Sequence, residues 1–165
     1  MSVVVVLDIN GVLGEVTKRR ADKRKDYIML PSGQKFYENP SAITFLSWLK
    51  YSGRPVALWT SRLLKNAAPI EALELLADFP FVVKLHGEDC TETRNFHPIK
   101  KASVLRKKLP LDMQKAKLMF VDDSPEYVEI DQNSAIYACK TYTTVDPNSS
   151  KNLEDIAARI YNYLK

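Results

Sequence analysis

The sequence predicts a three-layer α/β domain on a central parallel sheet, and two observations carry that prediction. Five short apolar runs alternate with segments of helical periodicity, the rhythm of strands linked by crossover helices. The first run, Val3-Val4-Val5-Val6-Leu7, is β-branched and unbroken by polar residues, as a strand buried on both faces requires. A polar segment over 14–38 follows, with strand-like pieces at Tyr27–Leu30 and Lys35–Tyr37 joined by Pro31-Ser32-Gly33. It reads as a small hairpin insertion. Asn39-Pro40 supplies an N-cap and a first-turn proline for a helix whose apolar stripe is Ile43, Leu46 and Leu49 and which Gly53 ends. Val56–Trp59 is the second strand, and Pro69–Ala77 a short helix with Ile70, Leu73 and Leu76 on one face. Phe81–Leu85, Lys117–Val121 and Ala135–Cys139 are the third, fourth and fifth strands, and Leu153, Ile156, Ile160 and Leu164 mark the last helix. The first strand is expected at the centre, flanked by the second and fourth.

Composition narrows the class. A chain of 165 residues, 45% hydrophobic, can bury a real core and fits one domain over 1–165 better than two. No apolar run approaches the ~20 residues that span a bilayer, and no basic leader precedes the first run, so no membrane partner and no secretory signal are expected. Cys90 and Cys139 lack metal-ligand spacing and read as reduced thiols of an intracellular protein. The net charge of +4 is a mild bias toward anionic partners. A monomer is expected.

Chemistry-bearing residues fall where strands stop. Asp8-Ile9-Asn10-Gly11 follows the first strand, Thr60-Ser61-Arg62 the second and Asp122-Asp123-Ser124-Pro125 the fourth, while Lys100-Lys101 heads a basic helical segment. In an open parallel sheet the carboxyl edge is where ligands bind. Together these groups make a Mg²⁺ site facing a phosphate site, since hard cations take carboxylate and substrate oxygens. Taken singly each has a bland reading: Asp8 as an Asx turn, Asp122-Asp123 as a turn opener, Thr60-Ser61 as a helix cap and Lys100 as a solvated charge.

The order D-x-x-G-x-L, W-T-S, Lys, D-D-S-P resembles the haloacid dehalogenase superfamily. More narrowly it resembles the branch of the RNA polymerase II C-terminal-domain phosphatases, also called NLI-interacting-factor-like. The narrower likeness rests on Leu58-Trp59-Thr60-Ser61, Asn66-Ala67-Ala68-Pro69-Ile70, Glu88-Asp89-Cys90 and Lys100-Lys101-Ala102-Ser103. The resemblance implies a Rossmann-like core with five parallel strands, the hairpin insertion and no large cap. It also implies a phosphoric monoester hydrolase in which Asp8 attacks phosphorus and forms an aspartyl-phosphate. Mg²⁺ would be held by Asp8, the backbone carbonyl of Asn10 and Asp123, with Asp122 beside them. Thr60, Ser61 and Lys100 would bind the phosphoryl oxygens, with Lys101 the fallback for the lysine.

One position departs from the family. Active members carry an aspartate two residues after the nucleophile as general acid and base, and this chain has Asn10. A carboxamide forfeits a proton-transfer contribution of ~10²–10⁴. Three readings remain open: a slow phosphatase, a phosphate-binding pseudoenzyme, or an introduced change that traps a complex.

Lys18-Arg19-Arg20-Ala21-Asp22-Lys23-Arg24-Lys25 packs six cations into eight residues. It reads as a solvated loop, as a nuclear localisation signal, or as a collector of polyanionic substrate, so the location is nuclear or cytoplasmic. Arg106-Lys107-Lys108 reads as the exposed face of a helix. Trp48 is expected in the core and Trp59 either in the core or at the substrate mouth, while His86 and His97 have no assigned role. The expected activity is a Mg²⁺-dependent phosphatase acting on phosphoserine or phosphothreonine in a protein segment. The alternatives are a silent phosphopeptide- or partner-binding module and, resting on the basic insertion alone, a polynucleotide-end phosphatase.

Overall fold

The four valines of the first run make β1 (Val3–Leu7), buried along its whole length. The computed structural model describes residues 2–19 and 26–165. In chain order follow β2 (Gly14–Thr17), β3 (Ile28–Met29), β4 (Lys35–Glu38), α1 (Ala42–Ser52), β5 (Val56–Trp59), α2 (Leu64–Glu71), α3 (Glu74–Ala77) and β6 (Val83–Leu85). Then come β7 (Glu92–Arg94), β8 (His97–Lys101), α4 (Ala102–Lys108), β9 (Lys117–Asp122), β10 (Val128–Glu129), β11 (Ser134–Ala138) and α5 (Asn152–Leu164).

The main sheet is parallel throughout, in the order β11-β9-β1-β5-β6, so β1 is central and flanked by the second and fourth core strands as expected. Successive side chains of a strand point to opposite faces. Val3, Val5 and Leu7 accordingly pack with Phe45, Leu46 and Leu49 of α1 and with Leu153, Ile156 and Ile160 of α5. Val4 and Val6 pack with Ala102 and Leu105 of α4. Two apolar layers sandwich one sheet, and the strand ends are left as the place where polar groups gather. No helix of the described residues is long and apolar enough to cross a membrane.

Several local expectations are corrected. The expected hairpin is present as β3 and β4, and Gly14–Thr17 adds to it a third antiparallel strand, in the order β2-β4-β3. Gly14 is required there, since a Cβ would lie 2.3 Å from the Phe36 ring. Of the basic cluster, Lys18 and Arg19 are exposed, with Arg19 paired to Glu15 at 2.6 Å, and residues 20–25 lie outside the described residues.

Asn39 is not the N-cap of α1. Its buried amide accepts from the Ser41 amide and donates to the Val12 carbonyl and to Asn152, pinning the loop after β1 to α5. Ile43 is 54% exposed, and the buried stripe of α1 is Ala42, Phe45, Leu46 and Leu49. The helix expected over Pro69–Ala77 is two pieces, α2 starting earlier and carrying Pro69 inside it, then α3. Lys100 sits on a strand, not at a helix head: β8 lies between β7 and β10 in a small third sheet, and α4 begins at Ala102.

Candidate active site

The sheet ends place the acidic groups. Asp8 follows β1 directly, its amide bonded to the Val121 carbonyl, and Asp122 closes the neighbouring strand β9. One oxygen from each of Asp8, Asp122 and Asp123 falls within 4.8 Å of the others. Gly11 makes room for this: at φ +83° it turns the loop back, and a Cβ there would lie 2.0 Å from Asp123 Oδ2.

Lys100 reaches the cluster from β8, with Nζ 3.0 Å from Asp8 Oδ1 and 2.7 Å from Asp122 Oδ2. All three side chains are buried. The other Asp122 oxygen accepts from the Ser124 amide at 2.9 Å, so both of its oxygens are occupied in orienting Lys100 and the turn after β9. Asp123 Oδ2 accepts from the Thr141 hydroxyl at 3.0 Å. Lys101, the fallback lysine, is bound elsewhere, by Glu92 at 2.7 Å and Glu129 at 3.4 Å.

One ammonium among three carboxylates leaves an excess of negative charge. Burial, the Asp122 charge and then the Asp123 charge drive the Asp8 carboxyl well above its ordinary range, against the pull of Lys100. Burial and Asp122 raise Asp123 as well. Burial works against the Lys100 ammonium, but Asp8 and Asp122 outweigh it and its pKa rises. A donor set of oxygens alone, crowded and under-neutralised, fits a hard divalent cation.

The cluster opens onto a cavity of about 210 Å³ lined by Asp8, Asn10, Ser61, Lys100, Asp123 and His97, among others. Ser61 is on its wall, whereas Thr60 is buried and not part of the lining. The Thr60 hydroxyl accepts from the Arg62 amide at 3.2 Å, and its own amide donates to the Leu85 carbonyl. The turn is clasped from behind by Gly87, whose amide bonds the Arg62 carbonyl at 2.7 Å and whose Cβ, if present, would lie 2.5 Å from the Ser61 carbonyl. Trp59 is fully buried with its indole N–H on the His86 carbonyl, so it packs and does not line the mouth. Trp48 is half-buried against the Phe45 ring. Arg62 ties the turn to the insertion through Gln34 at 2.7 Å.

The side chain of Asn10 is engaged as well, its Oδ1 accepting from the Val16 amide at 3.0 Å. His97, Pro98 and Tyr127 are cavity residues that the sequence reading left without a role. Their signal was positional: His97 and Pro98 lead into Lys100 on one strand, and Tyr127 follows the D-D-S-P turn. His86 is not among the lining residues and bonds the buried Glu71 at 2.7 Å.

No protein-family profile matches the chain, and no curated protein does. Among solved structures it is similar to Fcp1, an essential RNA polymerase II CTD phosphatase, with a TM-score of 0.60 at 14% identity. The match covers 98% of this chain and 48% of that one, so the chain spans about half the length of that structure. A 3-deoxy-D-manno-octulosonate 8-phosphate phosphatase from Moraxella catarrhalis matches at TM-score 0.45 and 14% identity, over 97% of this chain and 92% of that one. A hypothetical protein from Xanthomonas campestris matches at TM-score 0.40 and 16% identity, over 94% and 87%. What is shared with Fcp1 is the architecture, a Rossmann-like α/β core on a central parallel sheet of five strands.

Proposed function

We propose that the chain is a Mg²⁺-dependent phosphatase of the CTD-phosphatase-like kind, with Asp8 as nucleophile and phosphoserine or phosphothreonine in a protein segment as substrate. The observation that carries this is the cluster itself: three carboxylates within 4.8 Å, one buried lysine between two of them, and a small cavity in front. An arrangement with so little neutralising charge is costly to fold and is kept where a cation and an anionic ligand complete it.

Asp8, Asp123 and the backbone carbonyl of Asn10 would hold Mg²⁺, which when bound supplies charge neutralisation at the phosphoryl oxygens. Asp8 then attacks phosphorus as a carboxylate, its anionic form favoured by the Lys100 ammonium at 3.0 Å. Lys100 and Ser61 meet the phosphoryl oxygens from the cavity wall. Asp122, with both oxygens occupied, holds Lys100 in place. Thr60 acts from behind, setting the turn that presents Ser61.

A second reading has its own observation. The Asn10 amide oxygen is bonded to the insertion backbone, so the position that serves as acid and base in active relatives is here a structural tie. On that reading the site binds a phosphorylated segment without cleaving it. Hydrolysis of p-nitrophenyl phosphate separates the two, because an aryl oxide leaves without protonation. The phosphatase reading expects turnover in Mg²⁺, its loss in EDTA and its loss in Asp8→Asn. Absence of turnover in Mg²⁺, with phosphopeptide binding retained by Asp8→Asn, overturns it in favour of binding.

A further inference from the structure

Asn10 leaves one chemical task without an owner. A serine or threonine alkoxide departs from phosphorus only with a proton, and a carboxamide has none to give near neutral pH. Among the described cavity residues, Asp8 and Asp122 share Lys100 and Asp123 is crowded against them. His97 stands apart from that network. Imidazole is the side chain that ordinarily exchanges its proton between pH 5 and 8. The His97 ring nitrogens carry no hydrogen bond among the described residues, so they are left for a ligand.

Its position is held with some care. His97 opens β8, the strand that delivers Lys100 three residues later. Its ring stacks on Tyr127, with centroids 4.6 Å apart and planes 26° from parallel. The segment carrying Tyr127 is tied to the β7–β8 hairpin, where Arg94 donates to the Glu126 carbonyl at 2.6 Å. The hairpin tip turns through Asn95 and Phe96 at φ +51° and +66°, a left-handed conformation that a bulky residue such as phenylalanine rarely adopts. Backbone strain is thus spent immediately before the histidine. The cavity, about 210 Å³, is roughly seven waters in size, so a phosphoryl group on Asp8 and the His97 ring share one small space. The charged groups around the ring are Arg94, its partner across the hairpin, Glu126 beside Tyr127, and the Asp8, Asp122, Asp123 and Lys100 cluster on the same cavity.

We propose that His97 is the proton donor and acceptor of the reaction, in place of the residue two after Asp8, and so completes the cleavage of serine and threonine phosphate esters. The inference rests on the phosphatase reading above. In the first step an Asp8 oxygen bonds to phosphorus while the bond from phosphorus to the ester oxygen breaks. That oxygen takes a proton from the imidazolium and leaves as the alcohol. In the second step neutral His97 takes a proton from water as the water oxygen bonds to phosphorus. The bond from phosphorus to Asp8 breaks, and phosphate, the free carboxylate and the imidazolium are restored.

The test compares p-nitrophenyl phosphate with a phosphoserine peptide, in Mg²⁺, for the wild type, His97→Gln, and His97→Gln combined with Asn10→Asp. His97 is exposed, so the substitution is expected to leave the melting temperature unchanged. The expected result is a loss of ~10²-fold in kcat on the peptide. On the aryl ester the first step is spared and the shared second step is not, so a burst of p-nitrophenol followed by slowed turnover is expected. Partial recovery is expected in the double variant, where a carboxyl replaces the lost imidazole. The peptide pH–rate profile is expected to lose one ionisation in His97→Gln. Loss of the p-nitrophenol burst together with turnover, or no loss on either substrate, overturns the inference and leaves the phosphatase reading standing. A wild type that cleaves only the aryl ester overturns the inference and the phosphoserine assignment with it. A wild type that cleaves neither overturns both.

Discussion

At the carboxyl edge of the sheet Lys100 bonds two carboxylates of a cluster of three. At the amino edge Arg106 is served by one carboxylate and three backbone carbonyls. The Arg106 guanidinium bonds Asp131 through Nε at 2.6 Å and Nη2 at 3.0 Å, and reaches the carbonyls of Gln114, Ala116 and Asn133. Those carbonyls precede β9 and β11, so the arginine staples the entry of two core strands to α4. Its donors are matched by acceptors, and Asp131 is pulled below the ordinary carboxylate range by hydrogen bonds from Arg106. Around Lys100 the acceptors outnumber the donor, and burial with mutual repulsion lifts Asp8 and Asp123 instead. The same residue types make a structural tie where charge balances and a candidate ligand site where it does not.

The comparison breaks first at Lys100. Replacing it with methionine leaves three crowded carboxylates without their cation, and a loss of about 3–5 kcal/mol in urea unfolding at pH 7 is expected in the absence of divalent ions. Adding Asp8→Asn to Lys100→Met removes one of those charges and is expected to recover part of that loss. If Lys100→Met unfolds at the same urea concentration as wild type, the cluster is not under the strain inferred here. Arg106→Leu comes next. It leaves Asp131 and three carbonyls to water, at about 1–3 kcal/mol, since the site is partly open. Aryl phosphate turnover is expected to be untouched at temperatures where the variant is folded, because Arg106 contributes nothing to the cavity.

The two clusters were not equally legible in the sequence. Asp8 and Asp122-Asp123 stand out because each follows a run of apolar residues that only a buried strand would use, and strand ends are where ligands bind. The main sheet was legible for the same reason, its strands being written mostly in apolar residues. The small sheet was not: along β8 and β10 only Ile99 and Val128 are buried apolar residues, too few to set a period. Lys100 was therefore found by its motif and misplaced by its structure. Arg106, expected on an exposed face with Lys107 and Lys108, is drawn in by carbonyls at the strand entries. Periodicity shows which residues are charged but not which backbone groups lack partners. His97 carries no signal beyond its nearness to Lys100 in the chain. Its place follows from a hairpin that the apolar pattern does not record.

The finest test of the contrast is its pH dependence, where the two carboxylates are expected to act with opposite sign. Asp8 holds its proton more tightly in the folded than in the unfolded chain. Between the unfolded value, about 3.9, and its raised folded value, stability therefore falls as pH rises. Asp131 holds its proton less tightly when folded. Its contribution is present above about pH 3.9 and is lost as pH falls through the depressed folded value. In EDTA, Asp8→Asn is thus expected to gain on the wild type as pH rises above 4. Asp131→Asn is expected to lose against the wild type near neutrality and to draw level in strong acid. The Asp131 effect is the smallest, about 0.5–1 kcal/mol, because solvent screens a partly exposed pair. Urea unfolding of the three proteins from pH 3 to pH 8 reads both slopes. Parallel curves for the two variants would mean that the clusters do not differ in charge balance, and the distinction between tie and site would fail with them.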